Sequence, residues 1–424
     1  MRVCMLIWNY WPGPEGGAER QCRRLARVLG KRGIVCSIVT RRSSWKHPAS
    51  ETVEGNLIRR VSITEPFWDR LIGSLSRHRD RDAATDPSQD VLRSKERVIC
   101  QARAWRPRHL LMRASRCAFM ASSWRVLREV GSSAAIFHVH ESHWLAGWGG
   151  FMAHRLCLPW TVKEASIPCL EPLDPATPRR QLLDQMRRAG FFFAQTSAAA
   201  DELRKSGVSG DRIYVVPNGV EIAPETADVR HSQNVLFVGN LRGGYKAEDV
   251  LLDAWTRVAS ACPWAHLVMV GDGGRERLSP LIRQRGLTHC VTAVGRVSDT
   301  DAYYRAAAVF VLPSRKEGMS NALLEAQSYG LPAVVSDIPG NRAVVEQNRT
   351  GLIVPVGEAD LLAENIIRLL RDSDARARMG EAARVRIRDL FSMDIVAERV
   401  INSYQDILNR CSTGKRPCFS MTQG

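Results

Sequence analysis

The chain has 424 residues, which fits two domains of about 150–220 residues each better than one core. Hydrophobic residues make up 45%, which excludes a disordered or fibrous chain. The formal net charge of +16 indicates contact with a polyanion, such as nucleic acid or an anionic membrane surface, or an arginine-rich solvated surface.

The N-terminus leads directly into an apolar run, Val3–Trp8. This run lacks the longer apolar core and small-residue cleavage site of a signal peptide, so it is predicted to be the first strand. No apolar run approaches the roughly 20 residues that span a bilayer, and we expect a cytoplasmic protein. The eleven cysteines are scattered, which favours reduced, packed thiols over disulfides or a zinc site.

The first half alternates strand-like and helical patterns. A glycine- and proline-rich loop, Pro12–Gly17, follows the first run, then a helix over Ala18–Lys31 that ends at Gly33, and a strand over Ile34–Thr40. This order is the βαβ unit of a parallel sheet. Further strands at Ala135–Val139 and Trp160–Lys163, and a helix between them at Leu145–Arg155, are also predicted.

An arginine-rich insertion over about 66–130 interrupts this pattern. From Arg77 to Arg128 there are thirteen Lys and Arg against five Asp and Glu. With Trp105, Trp124 and the apolar run at 110–112, the insertion predicts a surface that rests on anionic lipid. A buried basic insertion and an acidic protein partner are the alternatives.

A second cycle of strands begins beyond a boundary that we place near 220–232. A polar stretch lies at 221–233, and a final helix is predicted over Met393–Leu408. Short apolar runs at intervals that leave room for helices predict the strands Asn234–Val238, Leu267–Val270, Val309–Leu312 and Ala333–Ser336.

The segment Arg315–Glu325 follows one of these strands and opens a helix. Gly318 occupies the turn, and Ser320 or Asn321 is a suitable N-cap. The free amide groups and the dipole of a helix N-terminus form a site for a diphosphate. A carboxylate before the helix (Glu317) can reach sugar hydroxyls, and one within it (Glu325) can accept hydrogen bonds from a ribose diol. The alternative is an ordinary helix start flanked by two surface carboxylates.

This segment, with Gly330–Arg342 and Gly351–Pro355, resembles the family-four retaining glycosyltransferases of GT-B fold (glycosyl transferases group 1). The resemblance covers most of residues 213–408. The shorter motifs Val216–Val220, Val270–Gly273 and Gly295–Ser298 occur in the expected order.

The resemblance implies an α/β GT-B architecture, in which two Rossmann-like domains face each other across a cleft. Residues 1–220 would be the acceptor-binding domain and 221–390 the nucleotide-sugar domain. A C-terminal helix at 391–410 would pack back on the first domain, and 411–424 would form a polar tail.

The family pattern also implies roles in donor binding. Glu325 would hold the ribose and Glu317 the transferred sugar. The diphosphate would meet the backbone near Ser320–Ala322. The complete set of donor contacts expected in this region is Val297, Gly318, Met319, Ser320, Asn321, Ala322 and Glu325.

A basic pair on the loop after the first strand of the second domain usually clamps the diphosphate in this family. Lys246 matches one member of the pair, and Asn240 stands where the family often has arginine. Arg242 is the nearest substitute, and Ala247 replaces the usual glycine. Two such cations would stabilise the leaving group as negative charge develops.

In the first domain, Gly16 and Gly17 let the backbone approach a phosphate or sugar closely, although a plain tight turn explains them equally. The family places this loop against the donor phosphate. Three histidines in 138–143 suggest a metal, but no matching Asp or Cys cluster accompanies them. The family favours His140 as a contact to the transferred sugar, with His143 the alternative, and an ordinary buried histidine is the non-functional explanation. Lys163 and Glu164 are candidates to face the acceptor.

The sequence thus predicts metal-independent transfer of a sugar with no cofactor, because cations and a helix N-terminus take the place of a metal ion. Glu317, His140 and Lys246 are the expected catalytic residues. The resemblance implies retention of anomeric configuration by a front-face route. The main alternative is a GT-B-fold epimerase or phosphorylase. A nucleic-acid-binding protein is the second, and no zinc pattern, RNA-binding aromatic motif or helix-turn-helix supports it.

The expected partners are a nucleotide-sugar and a saccharide or lipid-linked acceptor. The product would belong to a surface polysaccharide or a glycolipid. The protein would be peripheral on the inner face of the membrane, and no nucleic acid is expected to bind.

Overall fold

Parallel strands joined by helices make up the structure, a computed structural model that describes residues 1–12, 16–62, 114–140, 144–164, 190–241 and 244–413. The described residues form two compact units, one within Met1–Val162 and the other within Phe191–Arg416. The predicted α/β class is confirmed. The first 48 residues of the arginine-rich insertion lie outside the described residues, and residues 114–131 form a helix.

The first unit is built on a sheet with strand order β3-β4-β2-β1-β5-β6. All neighbouring strands are parallel except β3 and β4, which form an antiparallel edge. The strands are β1 Arg2–Leu6, β2 Val35–Arg41, β3 Ser50–Val53, β4 Asn56–Val61, β5 Ile136–Val139 and β6 Trp160–Glu164, and the helices are α1 Gly17–Lys31, α2 114–131 and α3 Trp144–Arg155.

Helix α1 follows the predicted pattern closely. Cys22, Leu25, Ala26 and Leu29 recur at helical spacing and are buried, so one face packs on the sheet. The helix ends before Gly33, whose φ is +76°, a conformation that glycine adopts without a steric penalty.

The second unit begins with two parallel strands that pack on the last helix. They are β7 Phe191–Ala194 and β8 Ile213–Val215, separated by α4 Ser197–Lys205 and a 3-10 turn at Gly210–Arg212. The last helix stacks Tyr404 on Phe193 with centroids 5.9 Å apart, and Tyr214 donates to Asp406 at 2.5 Å. Burial, followed by this hydrogen bond, raises the pKa of Tyr214.

These contacts tie the predicted C-terminal helix to residues 191–215, which the sequence assigned to the first domain. The same residues belong to the second compact unit of the structure. The proposed boundary at 220 therefore stays a prediction.

The main sheet of the second unit has six parallel strands in the order β11-β10-β9-β12-β13-β14. The strands are β9 Asn234–Val238, β10 His266–Val270, β11 Val291–Gly295, β12 Val309–Leu312, β13 Ala333–Ser336 and β14 Gly351–Val354. The helices are α5 Glu248–Ala261, α6 Gly274–Gln284, α7 Asp301–Arg305, α8 Asn321–Ser328, α9 Pro339–Val344, α10 Ala359–Arg371, α11 Ser373–Phe391 and α12 Met393–Ser412.

The strand order reverses at one point in each sheet, between β1 and β5 and between β9 and β12. In open parallel sheets, ligands bind beyond the carboxyl ends of the strands at such a switch point. The loop that contains Lys246 follows β9, and the turn that contains Glu317 follows β12. The fold therefore brings the two predicted donor segments of the second unit to one place. None of the described helices has the length and apolarity required to cross a bilayer.

Candidate functional site

A buried ion pair lies at the switch point of the second unit. The Lys246 ammonium donates to the Glu317 carboxylate, and Ser314 Oγ donates to the same carboxylate oxygen at 3.2 Å. Both charged side chains are largely buried. The structure thus unites a cation and a carboxylate that lie 71 positions apart in the chain.

Helix α8 begins directly after the turn that holds Glu317. Ser320 is its N-cap, and its Oγ accepts a hydrogen bond from the Leu323 amide at 3.4 Å. A helix N-terminus presents unsatisfied N–H groups and a partial positive charge. This end of α8 can therefore receive an anionic group such as a phosphate.

Glu325 lies one turn into α8 and is 8% exposed. Tyr304 donates its hydroxyl hydrogen to Glu325 Oε2 at 3.1 Å, and its oxygen also lies 3.4 Å from Ala322 O. The tyrosine fixes one carboxylate oxygen, so the Glu325 rotamer is set before any ligand arrives. The sequence analysis missed Tyr304, because nothing in its local pattern indicates contact with α8.

Asn218, in the motif Val216–Val220, forms hydrogen bonds with the turn that precedes α8. Its Nδ2 donates to Met319 O at 3.2 Å and to Asn321 Oδ1 at 3.0 Å, and its backbone N–H points to Met319 Sδ at 3.3 Å. Asn218 and Met319 are both buried. The motif was noted in the sequence, but its role as a support for the α8 turn was not.

The other predicted donor contacts to be located are Gly318, Val297 and Arg242. Gly318 packs against Gly340, whose Cα lies so close that an added Cβ would be 2.2 Å from Gly318 O. Val297 follows β11, is half-buried and packs on the core of the second unit. Arg242 lies outside the described residues.

Ala247 has a left-handed backbone, with φ 55° and ψ 42°, directly before α5. An alanine seldom adopts this conformation, whereas glycine, which the resemblance led us to expect here, adopts it without a steric penalty. Burial and the nearby Glu317 charge raise the pKa of Tyr245, which precedes Lys246.

The predicted residues of the first unit lie at the carboxyl ends of β1 and β5. Gly16 is the N-cap of α1, and its N–H donates to Glu19 Oε2 at 2.9 Å in a capping box. Gly17 is the first residue of α1. The capping box alone accounts for this loop as a helix start, and its role against a phosphate stays a prediction.

His140 follows β5, and its backbone N–H donates to Leu6 O at 3.0 Å. Its ring stacks on His138 with centroids 4.2 Å apart and an interplanar angle of 8°. Both side chains are buried. His143 and the Glu164 side chain lie outside the described residues, and Lys163 is buried at the end of β6. No group of three or more metal-binding side chains occurs in the described part of the chain.

Two family profiles together match most of the sequence. The profile described as "Glycosyltransferase Family 4" matches residues 15–223. The profile described as "Glycosyl transferases group 1" matches residues 232–372, which include the Lys246 and Glu317 segments. The chain belongs to the family-four glycosyltransferases.

Curated relatives of this glycosyltransferase agree with that assignment. A "D-inositol 3-phosphate glycosyltransferase" of Segniliparus rotundus is 26% identical over 93% of this chain and 86% of its own. A "Phosphatidyl-myo-inositol mannosyltransferase" of Mycobacterium leprae is 31% identical over 47% of this chain and 54% of its own.

Solved structures identify the fold of the glycosyltransferase as GT-B. Sucrose-phosphate synthase from Thermosynechococcus elongatus superposes with a TM-score of 0.72 at 19% identity, over 96% of this chain and 99% of its own. Anabaena HepE, solved in complex with UDP, gives a TM-score of 0.70 at 16% identity, over 96% and 100% of the two chains.

Proposed function

We propose that this glycosyltransferase moves a hexose from a nucleotide-diphosphate sugar to an acceptor, with retention of configuration and without a metal ion. The observation that carries the proposal is the Lys246–Glu317 pair at the N-terminus of α8, with Glu325 one turn further along the helix. A phosphate, a sugar and a ribose each have a complementary group there.

The diphosphate is the leaving group, and its negative charge grows as the bond to the sugar breaks. Lys246 and the N–H groups at the start of α8 are aimed at this charge before it develops. Interactions that strengthen in the transition state raise the rate of the chemical step. A cation and a helix N-terminus can thus stabilise the negative charge of the leaving diphosphate, the role that a divalent ion has in other transferases.

The two carboxylates have separate tasks in this proposal. Glu317 binds hydroxyls of the transferred sugar, and Glu325 accepts hydrogen bonds from the ribose diol. His140 stays a predicted contact to the transferred sugar. In a front-face reaction, the bond from the anomeric carbon to the phosphate oxygen breaks and the bond to the acceptor oxygen forms on the same face. The departing phosphate oxygen takes the acceptor proton.

The donor and acceptor classes are drawn from relatives. Anabaena HepE is described in complex with UDP-glucose, which makes UDP-hexoses the first donors to test. The relatives named after D-inositol 3-phosphate and phosphatidyl-myo-inositol favour an acceptor with a polyol ring and an anionic or lipid substituent. We place the product in glycolipid or surface polysaccharide synthesis.

A peripheral position on an anionic membrane surface is part of the proposal. Trp124 on α2 and Trp148 and Phe151 on α3 form a ring cluster with centroids 5.6–5.9 Å apart. Phe151 is 47% exposed, and Arg125 and Arg128 are exposed on α2. Aromatic rings flanked by arginines are suited to a lipid interface. Binding to liposomes should rise with their anionic lipid content, and indifference to that content would contradict this part.

A transfer assay with product analysis tests the function. UDP-, GDP- and ADP-hexoses are incubated with polyol-phosphate and lipid-linked acceptors in the presence of EDTA, and proton NMR reads the anomeric configuration of the early product. We expect an α-product from an α-donor, and a loss of about 100-fold in kcat for Lys246→Ala. Lys205→Ala, at an exposed lysine paired with Glu202, is the matched control.

Three results would overturn parts of this proposal. An inverted product would refute retention. A strict requirement for a divalent cation would refute the metal-free mechanism. Conversion of the donor sugar without any acceptor would favour an epimerase.

A further inference from the structure

The loop between β9 and α5 contains Lys246, and its described residues are held by two arginines that lie outside it. Arg277 belongs to α6, and Arg315 lies between β12 and α8. Each arginine donates to a backbone carbonyl of the loop and forms an ion pair with a carboxylate in the first turn of α5.

Arg277 connects the start of the loop to the start of α5. Its Nη1 donates to Leu241 O at 2.5 Å and lies 2.6 Å from Glu248 Oε1. The Glu248 side chain is 1% exposed. A buried carboxylate requires a compensating charge, so the geometry around Glu248 constrains where Arg277 can lie, and Arg277 in turn constrains Leu241.

Arg315 connects the end of the loop to the turn that holds Glu317. Its Nη1 donates to Gly244 O at 2.9 Å, and its guanidinium binds both Asp249 oxygens at 2.9 and 2.6 Å. Its own backbone N–H donates to Tyr245 O at 2.7 Å. Because Arg315 is two residues from Glu317, this network couples the two segments that supply the ion pair.

A strained residue lies between the loop carbonyls and the α5 carboxylates that the two arginines contact. Ala247 has a φ of 55°, and an alanine persists in this region only when its surroundings determine the backbone. The carboxylates that Arg277 and Arg315 bind follow Ala247 directly. The loop conformation that presents Lys246 is therefore the conformation that the two arginines stabilise.

We propose that Arg277 and Arg315 are positioning residues that hold the Lys246 ammonium at the diphosphate subsite without touching the donor. The functional part of this inference rests on the proposed function, in which Lys246 binds the diphosphate. The structural part, that the arginines restrain Lys246, stands apart from any donor.

Amine labelling measures the structural part directly. Lys246 has a side chain that is 9% exposed, whereas that of Lys205 is 72% exposed. Acetylation followed by peptide mass spectrometry gives a rate for each lysine in the native protein. In Arg315→Ala we expect Lys246 to react about tenfold faster than in wild type, with the Lys205 rate unchanged as the internal reference.

Ligand binding measures the functional part. A nucleoside diphosphate should bind Arg315→Ala about tenfold more weakly, because a misplaced cation loses much of its charge-assisted bond. The corresponding monophosphate should change less than about twofold. Arg315→Lys keeps the charge without the two-pronged contact to Asp249, so its affinity should lie between wild type and Arg315→Ala.

Two further variants separate positioning from folding. Arg277→Ala leaves Glu248 buried without its partner and is expected to unfold readily. The double variant Arg277→Met with Glu248→Gln removes both charges, and it should fold and still label faster at Lys246. Arg257→Ala is the matched control, since Arg257 lies on α5 and forms an ion pair with Asp360 at 3.2 Å.

Unchanged Lys246 labelling in both Arg315→Ala and the double variant would overturn the inference, whatever the ligand results. Faster labelling with no diphosphate binding by wild type would instead refute the proposed function and leave the restraint by the arginines standing. Equal weakening of diphosphate and monophosphate binding would show a general structural defect and would overturn the positioning role.

Discussion

Gly340 offers a direct test of how closely the Glu317 turn must be positioned. It lies in α9 and is buried against the backbone of that turn. A Cβ added at Gly340 would be 2.2 Å from Gly318 O and 2.8 Å from Glu317 O. Since real Cβ atoms essentially never approach closer than 3.0 Å, Gly340→Ala must separate the Gly340 and Gly318 backbones by about 0.8 Å, and we expect part of this shift to fall on the Gly318 turn.

A displacement of the turn would move Glu317 and the start of α8 together, because the added Cβ meets both Gly318 O and Glu317 O. A misplacement of about 1 Å in an active site costs on the order of 100-fold in rate, so we expect kcat/KM of Gly340→Ala to fall by about that factor. Overpacking of this kind costs about 1–3 kcal/mol of stability, or a few degrees in Tm. Donor-dependent transfer and thermal unfolding are measured on the same preparation.

A second glycine separates the effect on catalysis from the effect on stability. An added Cβ at Gly380 would be 2.0 Å from Gly330 O, a comparable backbone clash between α11 and the segment after α8. Gly380→Ala should lose similar stability while the folded fraction keeps its kcat/KM within about threefold. Wild-type activity in Gly340→Ala, or an equal loss of activity in both variants, would refute the reasoning.

Three further outcomes are expected. Tyr304→Phe leaves Glu325 without its tyrosine hydrogen bond, and donor KM should rise about tenfold with Tm nearly unchanged; an unaltered KM would show that the hydroxyl does not orient the carboxylate. The hydrogen bond from Arg315 lowers the pKa of Asp249, so this half-exposed pair stabilises the fold by at most about 1 kcal/mol above the ordinary aspartate pKa. The contribution is lost as pH falls through the lowered pKa, and the Tm difference between wild type and Asp249→Asn should therefore shrink as the pH falls below the ordinary aspartate pKa. Burial raises the pKa of Cys36 to about 12, so native thiol labelling at pH 8, read by peptide mass spectrometry, should leave Cys36 unmodified; rapid reaction would contradict its burial.

The central strands of the second unit could be predicted from the sequence alone. Asn234–Val238, Val309–Leu312 and Ala333–Ser336 coincide with β9, β12 and β13, because each is a short apolar run bounded by turn residues and buried on both faces.

The antiparallel edge of the first sheet was not predicted. Its two strands, Ser50–Val53 and Asn56–Val61, contain several polar residues and have half-exposed positions. Such strands lack a continuous apolar run, and their pairing depends on the sheet beside them. The turn between them has positive φ at Glu54 and Gly55, and this Glu-Gly pair was the available signal.

The candidate site also contains residues that the sequence could predict and residues that it could not. Glu317, Ser320 and Glu325 lie in one continuous segment, so a local pattern of strand, turn and helix was enough to select them. Asn218 and Tyr304 reach the same segment from 101 and 21 positions away. Spacing along the chain carries no information about such contacts, which arise only when the sheet brings the loops together.

Calorimetric titration of UDP-, GDP- and ADP-hexoses into wild type, Glu325→Ala and Lys246→Ala, with EDTA present, tests the central claim most directly. We predict that one nucleotide binds wild type selectively and that each variant binds it at least about tenfold more weakly. Absence of binding by every nucleotide, or equal binding by wild type and both variants, would contradict a donor site at the N-terminus of α8.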